Sequence, residues 1–366
     1  MNFLKTSILL LTVSIFASCD QVTEANFEHP LQAFENEIGQ WHWMDIDGML
    51  CRDSSATGIG VRLGEKSTKW MIYLMGGGAC FTPETCASNP SSYDENQFFE
   101  EETNSYYNVG LLNNQRAENP VKDWNVVFVP YCTGDVHSGN LPDGVPLGGT
   151  EKQQYVGNPN VQLVLDFLQP YMEEKQMDEL MVTGISAGGF GTHITFFEAK
   201  ERFPNVKTHL INDSGPLISD TKLMPFCLNF GLVLLYNLAV PEGYLLCCSP
   251  SYGLADIYTL AARKYPDDNF GLMSYTEDNT IRYFFSAGQN TCTGGDISGE
   301  LFKQGLNHLS ENVLQPTGKW STFYKTGTSH TFIQSNSRFY DTEIDGIQLY
   351  DWVNKVMNGE VLHLEE

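Results

Sequence analysis

The chain has 366 residues, of which 42% are hydrophobic and 12% aromatic, enough to bury the core of one large domain. A disordered or collagen-like chain is excluded. Lys and Arg number 21 against 45 Asp and Glu, a formal charge of −24. Charged residues make up only 18%, so scarce bases rather than an acidic tract set the sign. Such a field repels phosphate backbones and anionic head groups, which argues against nucleic acid as a partner.

In chain order, Lys5 precedes the apolar run Ile8–Ala17, too short to span a bilayer and the length of a signal h-region. Residues 1–18 read as a signal peptide. Ala17 and Ser18 lead to Cys19 and resemble a bacterial lipobox, with Phe16 where Leu or Val is usual. The expectation is a lipid on Cys19, the one membrane contact. An ordinary signal peptide with an incidental Cys19 is the alternative. Residues 19–40 are polar and acidic and read as a tether. From 41 to 366 there is no repeat or second linker, which implies a single domain. Setting Cys19 aside leaves eight cysteines: Cys51, Cys80, Cys86, Cys132, Cys227, Cys247, Cys248 and Cys292. An even count in an exported chain permits disulfides, and only Cys80 with Cys86 stands out as a local pair. No Cys or His spacing suits zinc, and neither a metal nor a cofactor is implied.

Short apolar runs at Trp70–Met75, Val126–Val129, Leu180–Thr183, His209–Ile211, Gly271–Tyr275 and Trp320–Tyr324 are bounded mostly by turn residues and predict strands covered on both faces. Val161, Val164, Leu165 and Leu168 recur at helical spacing, and Gly188–Arg202 runs without a breaker. Alternating strands and helices mean a parallel sheet with crossovers, the α/β class. Met224–Tyr252 is apolar and Cys-rich without strand punctuation. It reads as part of a helical insertion at about 217–265, over the carboxyl edge of the sheet.

Gly184-Ile185-Ser186-Ala187-Gly188 is a G-x-S-x-G pentapeptide between a predicted strand and a predicted helix. A turn that sharp needs small flanking residues and lifts Ser186 Oγ above the sheet, in front of a helix N-terminus. The motif is weak alone, and its context strengthens it. A serine needs a histidine to take its proton and a carboxylate to orient that histidine. His308, His330 and His363 follow Ser186 at a suitable distance. His330, in the loop after Trp320–Tyr324, is the expected base, while His308 and His363 read as surface groups and His193 as structural. Asp278, after Gly271–Tyr275, is the preferred acid, with Glu277 and Asp213 as alternatives. Gly76-Gly77-Gly78-Ala79 resembles the HGGG run of esterases with Met75 in place of the His, and would supply oxyanion donors together with the Ala187 N–H. A phosphate loop is the rival reading of these glycines, but no Lys-Ser/Thr follows them.

With Leu74–Phe81, Pro130-Tyr131-Cys132-Thr133-Gly134-Asp135-Val136-His137, Gly184–Gly188 and Asp213-Ser214-Gly215, the chain resembles the pectin acetylesterase/Notum family of α/β hydrolases from about Cys51 to His330. The Tyr-Cys-x-x-Asp segment makes the resemblance specific, since generic hydrolase chemistry does not require it. The resemblance implies Ser186 as nucleophile, His330 as base, Asp278 as acid, and Gly77, Gly78 and Ala187 at the oxyanion positions. Gly78 replaces an aromatic seen in some members, and Met75 replaces an acidic residue. The implied activity is serine ester hydrolysis, with an O-acetylated extracellular glycan as substrate and activity falling from acetate to octanoate. Two alternatives stand beside it: a Notum-like deacylase of longer or protein-linked acyl esters, and a non-catalytic glycan-binding lipoprotein.

Overall fold

The apolar runs lie side by side. In the computed structural model, which describes residues 28–366 apart from 105, 245–252 and 293, β1 (Trp41–Leu50) and β2 (Ala56–Arg62) form an antiparallel pair. β3 (Lys66–Leu74), α1 (Pro83–Ala87), α2 (Glu95–Thr103) and β4 (Trp124–Val129) follow. A small hairpin of β5 (Leu141–Gly144) and β6 (Gln153–Tyr155) leads to α3 (Gly157–Glu174). Next come β7 (Glu179–Ile185), α4 (Ala187–Arg202) and β8 (Lys207–Asp213). After β8 the chain forms α5 (Phe226–Tyr236) and α6 (Asp256–Lys264) before returning as β9 (Asn269–Tyr275). α7 (Asn279–Asn290), α8 (Gly299–Leu309), β10 (Trp320–Lys325) and α9 (Asn336–Tyr340) come next. The short pair β11 (Glu343–Ile344) and β12 (Ile347–Gln348), α10 (Leu349–Met357) and β13 (His363–Glu365) complete the chain.

Among the described residues, nine strands share one sheet in the order β1-β2-β4-β3-β7-β8-β9-β10-β13. β3 pairs in parallel with β4 and β7, and every pairing from β7 to β13 is parallel as well. This is an α/β-hydrolase fold. The pleat divides each run between two cores. Met71 and Tyr73 pack with Phe128 and with Trp352 and Val353 of α10. Trp70, Ile72 and Leu74 point the other way, onto Val161, Val164, Leu165 and Leu168 of α3. Burial on both faces is why these strands read as continuous apolar runs.

Parallel strands align their carboxyl ends, and the crevice along that edge is where such sheets hold ligands. The loops after β3, β7, β8, β9 and β10 all open there. The stretch between β8 and β9 is helical, and a Cys227–Cys292 disulfide fastens α5 to the segment just after α7.

Three features were not expected from the sequence. Residues 30–34, placed in the tether, form a short turn against the domain: Leu31 is fully buried, and the His29 ring donates to the Phe167 carbonyl at 2.8 Å. Leu31 and Phe34 give this acidic stretch something to bury. β1 and β2 extend the sheet on one side, and β13 closes the other. The last of these puts His363 in an edge strand, bonded to Thr322 Oγ1 at 2.9 Å, rather than on a free tail. The signal peptide, Cys19, the tether up to residue 27, and Cys247 and Cys248 lie outside the described residues.

Candidate active site

β7 ends at Ile185 and α4 begins at Ala187, so Ser186 makes the turn alone, at φ 54° and ψ −120°. A non-glycine residue at positive φ is strained and persists only where its surroundings hold it. Here the Ser186 N–H donates to the Asp213 carbonyl at 2.8 Å, and its own carbonyl accepts from Phe190 N–H at 3.0 Å. A Cβ on Gly188 would collide with the Leu74 carbonyl oxygen, so the helix can start this close to β3 only with glycine there. Ser186 sits in a small apolar pocket with Gly78, Ala79, Val136, Ala187 and Phe284, at the start of α4, where a helix has N–H groups without intrahelical partners.

His330 lies in the loop after β10, and its Nδ1–H donates to Asp278 Oδ2 at 2.7 Å. That bond leaves Nε2 as the basic nitrogen. Asp278 is fully buried and caps α7, its Oδ1 accepting from the N–H groups of Thr280 at 2.9 Å and Ile281 at 3.0 Å. The loops that carry Asp278 and His330 are also joined by backbone bonds, Glu277 N–H to Gly327 O at 2.9 Å and Asn279 N–H to Thr328 O at 3.2 Å. The other two acid candidates are engaged elsewhere. Glu277 turns its carboxylate toward Gly299 at the start of α8. Asp213 binds the backbone of the loop just after His330 rather than the imidazole. Among the other histidines, His308 meets Ser219 Oγ, and buried His193 accepts from Asn212 Nδ2 at 3.1 Å.

The glycine run after β3 is held from behind by the segment 130–137. Tyr131 Oη donates to the Gly78 carbonyl at 2.8 Å and accepts from Val136 N–H at 2.9 Å. His137 Nε2 donates to the Met75 carbonyl at 2.8 Å. Burial pushes His137 down to about 4, so the ring stays neutral at ordinary pH. Disulfides Cys51–Cys132 and Cys80–Cys86 anchor the two segments. Tyr131 and His137 belong to the segment that carries the family resemblance, and the sequence alone assigns them no role. The signal available was a Tyr and a His in a segment that hydrolase chemistry alone does not require. Gly78 lies at φ 84°, and a Cβ there would come 2.5 Å from Phe284 Cζ. Phe284 of α7 therefore fills the space that an aromatic side chain at 78 would need.

Past Phe284 an apolar cavity of about 130 Å³ opens beneath the inserted helices, walled in part by Leu228, Leu232 and Tyr236 of α5. It shares Ala79, Val136, Phe190, Phe284 and Phe285 with the serine pocket. Among the described residues, no group of three or more His, Cys, Asp or Glu side chains is placed to hold a metal ion.

The site has recognisable relatives. The palmitoleoyl-protein carboxylesterase NOTUM of Mus musculus is 28% identical over 49% of this chain and 36% of its own length. Palmitoleoyl-protein carboxylesterase notum2 of Xenopus laevis is 32% identical over 42% of this chain and 30% of its own. Pectin acetylesterase 4 of Arabidopsis thaliana is 29% identical over 47% and 42%. Each match thus spans less than half of the relative. The family model described as pectinacetylesterase covers residues 35–224, which takes in Gly77, Gly78, Ser186 and Ala187, while Asp278 and His330 lie beyond it. Because that stretch is more than half of the chain, and carries the serine turn together with the glycine run, the chain belongs to the pectinacetylesterase family.

Proposed function

We propose that this protein is a serine carboxylic-ester hydrolase. The observation that carries the reading is the Asp278–His330 hydrogen bond, at the same sheet edge as the strained Ser186 turn. Ser186 Oγ attacks the acyl carbon as its proton passes to His330 Nε2. The N–H groups of Gly77, Gly78 and Ala187 hold the developing oxyanion. His330 returns the proton to the leaving alkoxide, and water, activated by the same nitrogen, releases the acid from the acyl-enzyme. Asp278 keeps the ring in the required tautomer. A purely glycan-binding role leaves this strained serine and oriented base without a purpose.

The proposed substrate is an O-acetylated glycan outside the cytoplasm. Support comes from the family and from the three disulfides among the described residues, which fit an oxidising compartment. The same reading makes Cys19 the lipid acceptor that anchors the protein. A charge of −24 favours neutral glycans over polyanionic ones at low salt. A second reading, hydrolysis of longer acyl esters, is favoured by the apolar cavity beside the serine pocket. The test is release of acetate from a panel of acetylated polysaccharides by wild type and Ser186→Ala. Loss of a triad serine removes almost all turnover, so an alanine variant within about tenfold of wild type refutes the assignment.

A further inference from the structure

Asp213 is completely buried at the end of β8, and it touches both halves of the site. Its main-chain carbonyl accepts the N–H of Ser186 at 2.8 Å. Its side-chain Oδ2 accepts the N–H groups of Phe332 at 2.7 Å and Ile333 at 2.8 Å, just after His330. Oδ1 takes the Ser214 hydroxyl at 2.9 Å. Between His330 and these two donors stands Thr331, a β-branched residue at φ 59°. That conformation is unfavourable for threonine and survives only if its surroundings impose it. The two N–H groups that follow Thr331 converge on one carboxylate oxygen, which is such an imposition. The rest of the loop is fixed as well: the Phe332 ring stacks on Tyr275 at 4.2 Å, and the Ile333 carbonyl accepts from Leu111 N–H at 3.1 Å.

We propose that Asp213 is a positioning residue that sets the separation of Ser186 and His330, through its backbone on the nucleophile side and its carboxylate on the base side. The inference rests on the ester-hydrolase reading. Asp213 does not touch the imidazole and is not the acid of the triad. What the loop uses is an acceptor oxygen at a fixed height above β8. Burial pushes the Asp213 carboxyl up to about 6, against the pull of Ile333, Phe332, Ser214 and His330. The site therefore tolerates an unwelcome charge there, although a neutral acceptor of the same shape would serve.

Asparagine and glutamate separate this role from its rivals. Asp213→Asn keeps an oxygen for both N–H groups, places its amide against Ser214 Oγ, and removes the charge. Asp213→Glu keeps the charge but adds a methylene that pushes the base loop outward. A displacement near 1 Å costs on the order of 10²-fold in rate. On an aryl acetate, the expected kcat is within about tenfold of wild type for Asn and about 10²-fold down for Glu, with KM little changed in either. Labelling of Ser186 by a fluorophosphonate should slow in the same order. An Asn variant slower than the Glu variant, or a folded Glu variant with wild-type kcat and labelling rate, overturns the proposal. If the Glu variant does not fold, Asp213→Ser withdraws the acceptor instead and is read in the same way. Failure of the ester-hydrolase reading looks different: the wild type itself is then not labelled at Ser186.

Discussion

Three carboxylates belong to residues that contact the proposed base or its loop, and their partners give each a different task. Asp278 alone meets the His330 ring, so Asp278→Asn should lower kcat by about 10⁴-fold, as for a triad aspartate converted to its amide. Glu277→Gln leaves that bond in place and should stay within about threefold; steady-state kinetics on one ester decide the pair. Asp213 makes a further prediction, about stability. Its carboxyl is raised from an ordinary 3.8 to about 6 by burial, so the folded state prefers it protonated. The stability it contributes is complete below the unfolded value near 4 and is lost as pH rises through about 6. Between pH 4 and pH 7.5, wild type should lose about 2.5 kcal/mol relative to Asp213→Asn, which does not titrate at this position. Urea melts of the two proteins at both pH values give the difference directly, because every other titration is common to both. A constant difference would mean that the Asp213 charge is already compensated.

At the scale of elements, what the sequence revealed depended on burial. The central strands are wet on neither face over most of their length, and their apolar runs marked them to within about two residues, as did the Gly188–Arg202 stretch for α4, except that β3 begins four residues before its run, at the exposed Lys66. β1 escaped because its cover is patchy, with Trp41 and Trp43 against one core and Met44, Ile46 and Met49 against the other, and because Asp45, Asp47 and Gly48 interrupt it, leaving no run and no clean alternation. β13 escaped because three residues carry no periodicity at all. The supporting roles of Tyr131 and His137 were hidden for another reason. They reach back 53 and 62 residues to the glycine run, and no local pattern encodes a contact of that span. The acid stayed open among three residues because each follows or ends a strand at the right edge, and only side-chain direction distinguishes them. The inserted helices carry the prediction at this scale. α5 is apolar on all sides, with Leu228 turned in toward the cavity and Phe226, Phe230 and Leu234 exposed. If the cavity receives the acyl chain, kcat/KM on aryl esters should rise by about fourfold for each methylene that enters, from roughly 0.8 kcal/mol per buried CH₂. Leu228→Trp should then abolish that rise and leave acetate untouched. A steady fall from acetate to octanoate, in wild type and variant alike, returns the site to acetyl esters.

For the molecule as a whole, two of the disulfides brace the segments of the candidate site, one as a long closure and one as a short one. Cys51–Cys132 spans 81 residues and Cys80–Cys86 only 6. The chain-entropy estimate gives about 4.5 kcal/mol for the first and about 2 for the second. Replacing Cys51 and Cys132 together by Ser should therefore lower the melting temperature clearly more than replacing Cys80 and Cys86, as calorimetry can show. An equal loss would mean that local packing, not loop closure, dominates. Charge acts at the same scale: the excess of 24 negative charges leaves few cations to hold a polyanion, and rates on acidic glycans should be the ones that salt improves. One contact between distant parts of the chain bears on how such a site can change over generations. A Cβ at position 78 would stand 2.5 Å from the Phe284 ring, so these two residues, 206 positions apart, are not free to drift independently. A lineage that acquires a large side chain at 78 while Phe284 remains passes through a form in which the two side chains clash in the pocket of Ser186. The passable route from glycine loses the ring at 284 first and fills 78 afterward, and the route from an aromatic runs through the same intermediate in reverse, with both positions small.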